Sequence, residues 1–238
     1  MSLRITQFYS ADTLMSDLIC ERYDLLLVIT RFGIPLGFGD QTIREVCDEN
    51  QVHVDTLLAV VNTIVSHNNK PSRDLLSSLS PIALVDFLKR SHHYFLDYRL
   101  PKLLVHLHHA IEGGPEEIVF LINKFFDEYV GEVHKHMGYE DKNVFPYVRA
   151  LIEGRQKKGV GAYNIDIFSR RHDKVEARIS ELKNILIKYF PDGSGYELTS
   201  VLHELFSTEE DLATHNFIED CLFVPLIRQM EQEQTSLN

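Results

Sequence analysis

Apolar residues return every three or four positions along most of this chain, so the pattern predicts helices nearly everywhere. The first run, ADTLMSDLICERYDLLLVITRFG, keeps that spacing as far as Gly33, a good helix stop. A turn-rich break, GIPLGFGD, follows. QTIREVCDEN and VDTLLAVVNTIVSH then read as two short helices. Residues 67–80, HNNKPSRDLLSSLS, are rich in Asn, Ser and Lys, contain a Pro, and read as a linker. No alternating strand pattern of any length is present.

Four longer helices are predicted beyond the linker. The first opens at SPIALVDFLKR, with Ser80 as N-cap and Pro81 at the first helical position. The second follows GGPEE at residues 113–117, where Pro115 and two acids suit a helix N-terminus. The third runs from near Tyr163 to about Phe190, and the fourth from near Tyr196 to about Glu233. Four amphipathic helices joined by modest loops predict an antiparallel bundle. The expected fold class is all-α: a four-helix bundle over residues 78–238, preceded by a small helical N-terminal domain over residues 1–70.

Polar residues interrupt the inward stripes of these helices. On the second the stripe reads Ile122, Phe126, Tyr129, Val133, His136, Glu140, Val144. On the third it reads Ile165, Phe168, His172, Val175, Ile179, Leu182, Leu186. On the fourth it reads Leu202, Leu205, Leu212, His215, Glu219, Leu222, Leu226. On the first, His93 is in register with Leu96, Leu100, Leu104 and Leu107, and Pro101 is expected to kink the helix because it removes a backbone donor. His92 and His134 neighbour these positions and are expected to point away.

The spacings repeat. His93 and His136 are 43 residues apart, as are His172 and His215, and the two halves are offset by 79. HMGYEDKNVFP, from His136, and HNFIEDCLFVP, from His215, carry His, Glu, Asp and Pro at the same four offsets, and Arg149 and Arg228 extend the match. This is the mark of a duplicated helix pair. His-x-x-x-Glu alone is a weak signal, since a solvated i,i+4 contact produces it too. Buried His and Glu, however, must be satisfied, either by a metal or by a buried polar network.

Six ligands from four helices suit two metals, with two imidazoles for each and two glutamates able to bridge. A nitrogen and oxygen set without thiolate fits iron or manganese, and zinc is compatible by ligand type. A bridging hydroxide or oxide would lower the net charge and leave room for a small molecule.

Composition narrows the partners. The net charge of −11 argues against nucleic acid. No apolar run reaches the roughly 20 residues a spanning helix needs, so no membrane partner is expected. The N-terminus lacks a secretion-signal pattern. Three widely spaced cysteines, Cys20, Cys47 and Cys221, suit a reducing, cytoplasmic compartment. Cys20 and Cys47 read as core packing residues on helices, and Cys221 is expected to face a neighbouring helix and be inert. Histidine is the outlier, at twelve. His106, His108 and His109 read as a solvated helix end, with iron uptake as the alternative. Asp97 and Glu176 lie one turn beyond His93 and His172 and could accept hydrogen bonds from them or line an access path.

His93, HMGYEDKNVFP, His172 within SRRHDKVEARI and HNFIEDCLFVP together resemble the hemerythrin-like domain, and more narrowly the di-iron repair-of-iron-centres family. The resemblance spans roughly residues 80–230. It implies a non-haem di-iron site, oxo- or hydroxo-bridged, held by His93, His136, Glu140, His172, His215 and Glu219. It further implies iron–sulfur cluster repair or iron delivery under oxidative or nitrosative stress, with iron–sulfur proteins as partners. Binding or sensing of dioxygen or nitric oxide, and reduction of nitric oxide or peroxide, suit the same site. RFGIPLGFGDQTIREVC resembles that family's N-terminal domain, but Gly37 and Phe38 stand where the family carries adjacent cysteines. The short apolar helices there offer a homodimer contact.

Overall fold

The computed structural model describes residues 8–67, 70–155, 164–167, 173–190 and 195–236, the side chains of 167, 173–177 and 236 excepted. The architecture is all-α. Among the described residues there is no strand, only an isolated bridge between Leu14 and Thr42.

The expected first helix is broken into α1 (Met15–Glu21), a 3₁₀ turn (Tyr23–Leu25) and α2 (Leu26–Arg31). The break lies at Arg22, whose φ of −137° and ψ of 73° leave helical space. Its guanidinium donates twice to Asp24 across the break. Gly33 ends α2 at φ +84°, where a Cβ would sit 2.6 Å from Arg90 Nη1, so both conformation and space call for glycine. Helix α3 (Ile43–Glu49) starts with a capping box between Thr42 and Glu45. The Thr42 backbone and hydroxyl donors hold the Glu45 carboxyl below the usual range. In α4 (Val54–Ser66) the cap is His53, whose Nδ1 accepts from the Thr56 amide.

The linker segment contains α5 (Arg73–Ser78), which its polar composition hid. Ser72 caps it by accepting from the Leu75 amide, Asp74 lies in its first turn, and Leu76 is buried. These signals outweigh the run of serines.

The longer helices follow. Helix α6 (Pro81–His93) continues through a π-helical segment (Tyr94–Arg99) into α7 (Leu100–Ala110). Helix α8 (Glu116–Tyr139) continues through a second π segment (Glu140–Val144) into α9 (Phe145–Ile152). After a 3₁₀ turn (Ile165–Ile167) comes α10 (Asp173–Tyr189); the expected start at Tyr163 lies outside the described residues. Helix α11 (Gly195–Ile218) passes through a third π segment (Glu219–Phe223) into α12 (Val224–Ser236).

Each π segment ends two residues before a proline: Pro101, Pro146 and Pro225. A proline offers no N–H to the carbonyl four residues back and its ring crowds that carbonyl. Those carbonyls belong to Asp97, Lys142 and Cys221, all inside the π segments. The wider turn relieves the crowding, so Pro101 produces a register change rather than only the expected kink.

The chain divides into two compact units. One comprises Met1–Ser91, Tyr147–Asp166 and Phe217–Asn238, the other His92–Pro146 and Ile167–Asn216. In the first, Phe32 stacks on Phe87 with centroids 4.8 Å apart, and Arg90 donates to the Arg31 carbonyl at 3.2 Å. There too Ser80 donates its amide to Thr56 Oγ1, and Gln229 its side-chain amide to Ser77 Oγ. The second is built around Phe95, Leu103, Leu107, Phe126, Tyr129, Val133, Leu182 and Leu205, all buried.

Candidate metal centre

The π segments decide which side chains face inward. Before the first one, Leu84, Val85, Leu88 and His92 are buried; after it, Leu100, Leu103 and Leu107 are. The buried step from Phe95 to Leu100 is five residues, one more than an α-helix allows. Carrying a strict α register back from the leucines therefore selects His93, one position too far. His93 is in fact exposed, and its Nδ1 pairs with Asp97 at 2.6 Å. His92 is the buried one of the two, at 2% exposure.

His92 Nε2 stands 2.9 Å from Glu140 Oε2, and His136 Nε2 stands 3.1 Å from Glu140 Oε1. One carboxylate thus offers a separate oxygen to each of two imidazoles. His215 meets His92 edge-on at a centroid distance of 5.2 Å, and Phe95 packs edge-on against His215. Phe145 lies flat on the His92 ring at 5.3 Å. One donor atom from each of His92, Glu140, His215 and Glu219 falls within 4.8 Å of the others. All four are buried, Glu140 and Glu219 at 0% exposure.

The residues fit a cation. Two wholly buried carboxylates demand positive charge, supplied by metal or by protonated imidazole. Two donors about 2.1 Å from one metal ion and at right angles to each other stand ~3.0 Å apart. The contacts of 2.9 and 3.1 Å around Glu140 match that spacing. The donors are imidazole and carboxylate only, a set suited to iron, manganese or zinc. Cys221, two residues past Glu219, is buried and outside the cluster, and burial beside Asp220 pushes its thiol up to about 11.

Of the six residues expected from sequence, Glu140, His215 and Glu219 fall in the four-residue cluster and His136 touches it through Glu140. His93 does not reach it. His172 and the Glu176 side chain lie outside the described residues. His92, expected to point away, lies in the buried cluster instead, and the sequence carries a signal for it. Arg149 pairs with Asp86 at 3.0 Å and Arg228 with Asp166 at 2.6 Å, matching ion pairs in the two halves of the repeat. Asp86 precedes His92 by six residues, and Asp166 precedes His172 by six. In these ion pairs His92, not His93, is the counterpart of His172, and the one-residue discrepancy is the π segment at Tyr94–Arg99.

Buried His on α-helices, with buried Glu at the start of two π segments, is a ligand set that an all-helical cation-binding protein can use. Residues 83–227 match the hemerythrin HHE cation-binding domain, and the chain belongs to that family. No curated protein matches the chain. Among the described residues, no helix is long and apolar enough to cross a membrane.

Proposed function

We propose that the chain is a non-haem di-iron protein whose centre takes a small diatomic molecule or peroxide, in the service of iron–sulfur cluster repair or iron delivery under oxidative or nitrosative stress. The residues that would hold the ions are His92, His136, Glu140, His215 and Glu219, with His172 as the repeat counterpart of His92. The observation that carries the reading is the division of Glu140, with Oε2 at 2.9 Å from His92 and Oε1 at 3.1 Å from His136. A carboxylate so divided suits two ions, one beside each imidazole. When bound, two irons supply one-electron chemistry and open coordination positions.

The chain's own residues set the limits on that chemistry. The ligands are buried, with Phe145 stacked on His92 and Phe95 edge-on against His215, which favours a small molecule over a large organic substrate. Gly37 and Phe38 stand where the repair family that the N-terminal region resembles carries adjacent cysteines, so no repair step through thiols at those positions is assigned. The same features support a second reading, reversible binding or reduction of dioxygen, nitric oxide or peroxide, because these need the buried centre alone.

Anaerobic purification with metal analysis, followed by optical spectra on adding air or nitric oxide, tests the proposal. Two irons per chain and a spectral change with nitric oxide are expected. A chain that takes up no iron contradicts it. Iron that passes readily to a cluster-free acceptor protein favours delivery. Iron that stays bound through a reversible spectral change favours sensing.

A further inference from the structure

Two consecutive residues grip the two nitrogens of a single imidazole. Glu140 meets His92 at Nε2, and Asp141 Oδ1 lies 3.1 Å from His92 Nδ1. Phe145, immediately after the same π segment, lies flat on the ring at an interplanar angle of 28°. One short stretch of backbone therefore fixes the ring's position, plane and rotation. The buried carboxylate faces the inner nitrogen. Asp141, whose side chain is 41% exposed, faces the outer one.

We infer that Asp141 is a positioning residue for His92: it accepts a hydrogen bond from Nδ1–H and so presents the Nε2 lone pair to a metal ion shared with Glu140. This rests on the metal reading above. An imidazole with one proton has one donor nitrogen and one lone pair. A carboxylate at Nδ1 accepts a hydrogen bond from Nδ1–H and so keeps the proton on that nitrogen, which leaves the lone pair at Nε2 and makes it a stronger donor to a cation. Glu140 at Nε2 is itself an acceptor when ionised, so a cation between Nε2 and Oε2 reconciles the two groups at 2.9 Å. The duplicated His-x-x-x-Glu-Asp pattern contains this acid immediately after the glutamate. Here it has a use distinct from that of the glutamate: it turns a ligand contributed by another helix.

The test compares wild type, Asp141→Asn and Asp141→Ala by competition for iron(II) against a chelator, by midpoint potential, and by melting of the metal-free protein. Asparagine keeps an acceptor oxygen but not the charge. The expected result is a loss of iron affinity of about 10–100-fold in Asp141→Ala. Asp141→Asn should fall in between, the potential should move positive in both, and the metal-free melting temperature should hardly change. Wild-type iron affinity and potential in Asp141→Ala would overturn the inference while leaving the metal centre in place. A large drop in metal-free melting temperature in both variants would also overturn it, making Asp141 a residue of the fold. A wild-type chain that binds no iron removes the metal reading itself and the inference with it.

Discussion

His92 Nε2 meets Glu140 Oε2 at 2.9 Å in the buried interior, while the adjacent His93 points outward to Asp97. The two histidines are chemically equivalent in sequence and opposite in placement. His92→Ala is therefore expected to lower metal content by one ion or more, whereas His93→Ala should leave it unchanged. Metal analysis of the two variants purified side by side checks this. Loss in His93→Ala with retention in His92→Ala would reverse the assignment.

The π segment at Tyr94–Arg99 acts as a one-residue insertion between two faces that are otherwise in register. Deleting exposed Tyr98 together with Pro101→Ala should give an uninterrupted α-helix that keeps both His92 and Leu103 inward. Pro101 must be changed as well, because a proline inside a regular helix costs about 3 kcal/mol. Circular dichroism and metal content should both stay near wild type. Inserting one residue into the same segment should instead rotate one flank by about 100° and abolish metal binding.

Much of the helical architecture could be read from the chain, because apolar spacing, Pro81, the acids after Pro115 and Gly33 are local signals. The candidate site was legible only in part. Glu140, His215 and Glu219 announce themselves by the duplicated spacing, but His92 required knowledge of a widened turn. Periodicity assumes a constant number of residues per turn, and a π segment breaks that assumption without any change in hydropathy. Pro101 was the visible trace of it, since a kink and a π segment are alternative responses to the same lost hydrogen bond. Helix α5 was hidden for a different reason: Ser72 reads equally well as loop or as N-cap until its partner amide is known.

A fragment beginning at residue 78 tests the division into residues 1–70 and 78–238. It would lose Phe32 from the face of Phe87 and the Arg31 carbonyl from Arg90. Uncovering one such aromatic removes about 1.5–3 kcal/mol. The fragment is expected to fold and retain metal, but to melt lower than the full chain. If it stays unfolded even with iron present, residues 1–70 are not a separable domain.

The thiols should differ sharply in reactivity. Cys20 is exposed, whereas burial pushes Cys47 and Cys221 each up to about 11. One thiol should react rapidly with a disulfide reagent at pH 8 in the folded protein, and all three after unfolding. The raised values also set a sign for stability. Each buried thiol contributes stability that is fully present below the unfolded thiol pKa of about 8.5. That contribution is lost as pH rises through about 11. Melting temperature should therefore decline over that alkaline window, and less steeply in Cys47→Ala. An equal decline in the variant would assign the effect to other groups.

The central claim is that Glu140 and Glu219 hold cations in common with the surrounding imidazoles. Its most direct measurement is iron content per chain, by elemental analysis of anaerobically loaded protein, for wild type and for Glu140→Ala, Glu219→Ala. Two irons are expected in wild type, with less than one in the double variant, because each carboxylate is proposed to serve both ions. Retention of two irons in the double variant, or none in wild type, would contradict the account.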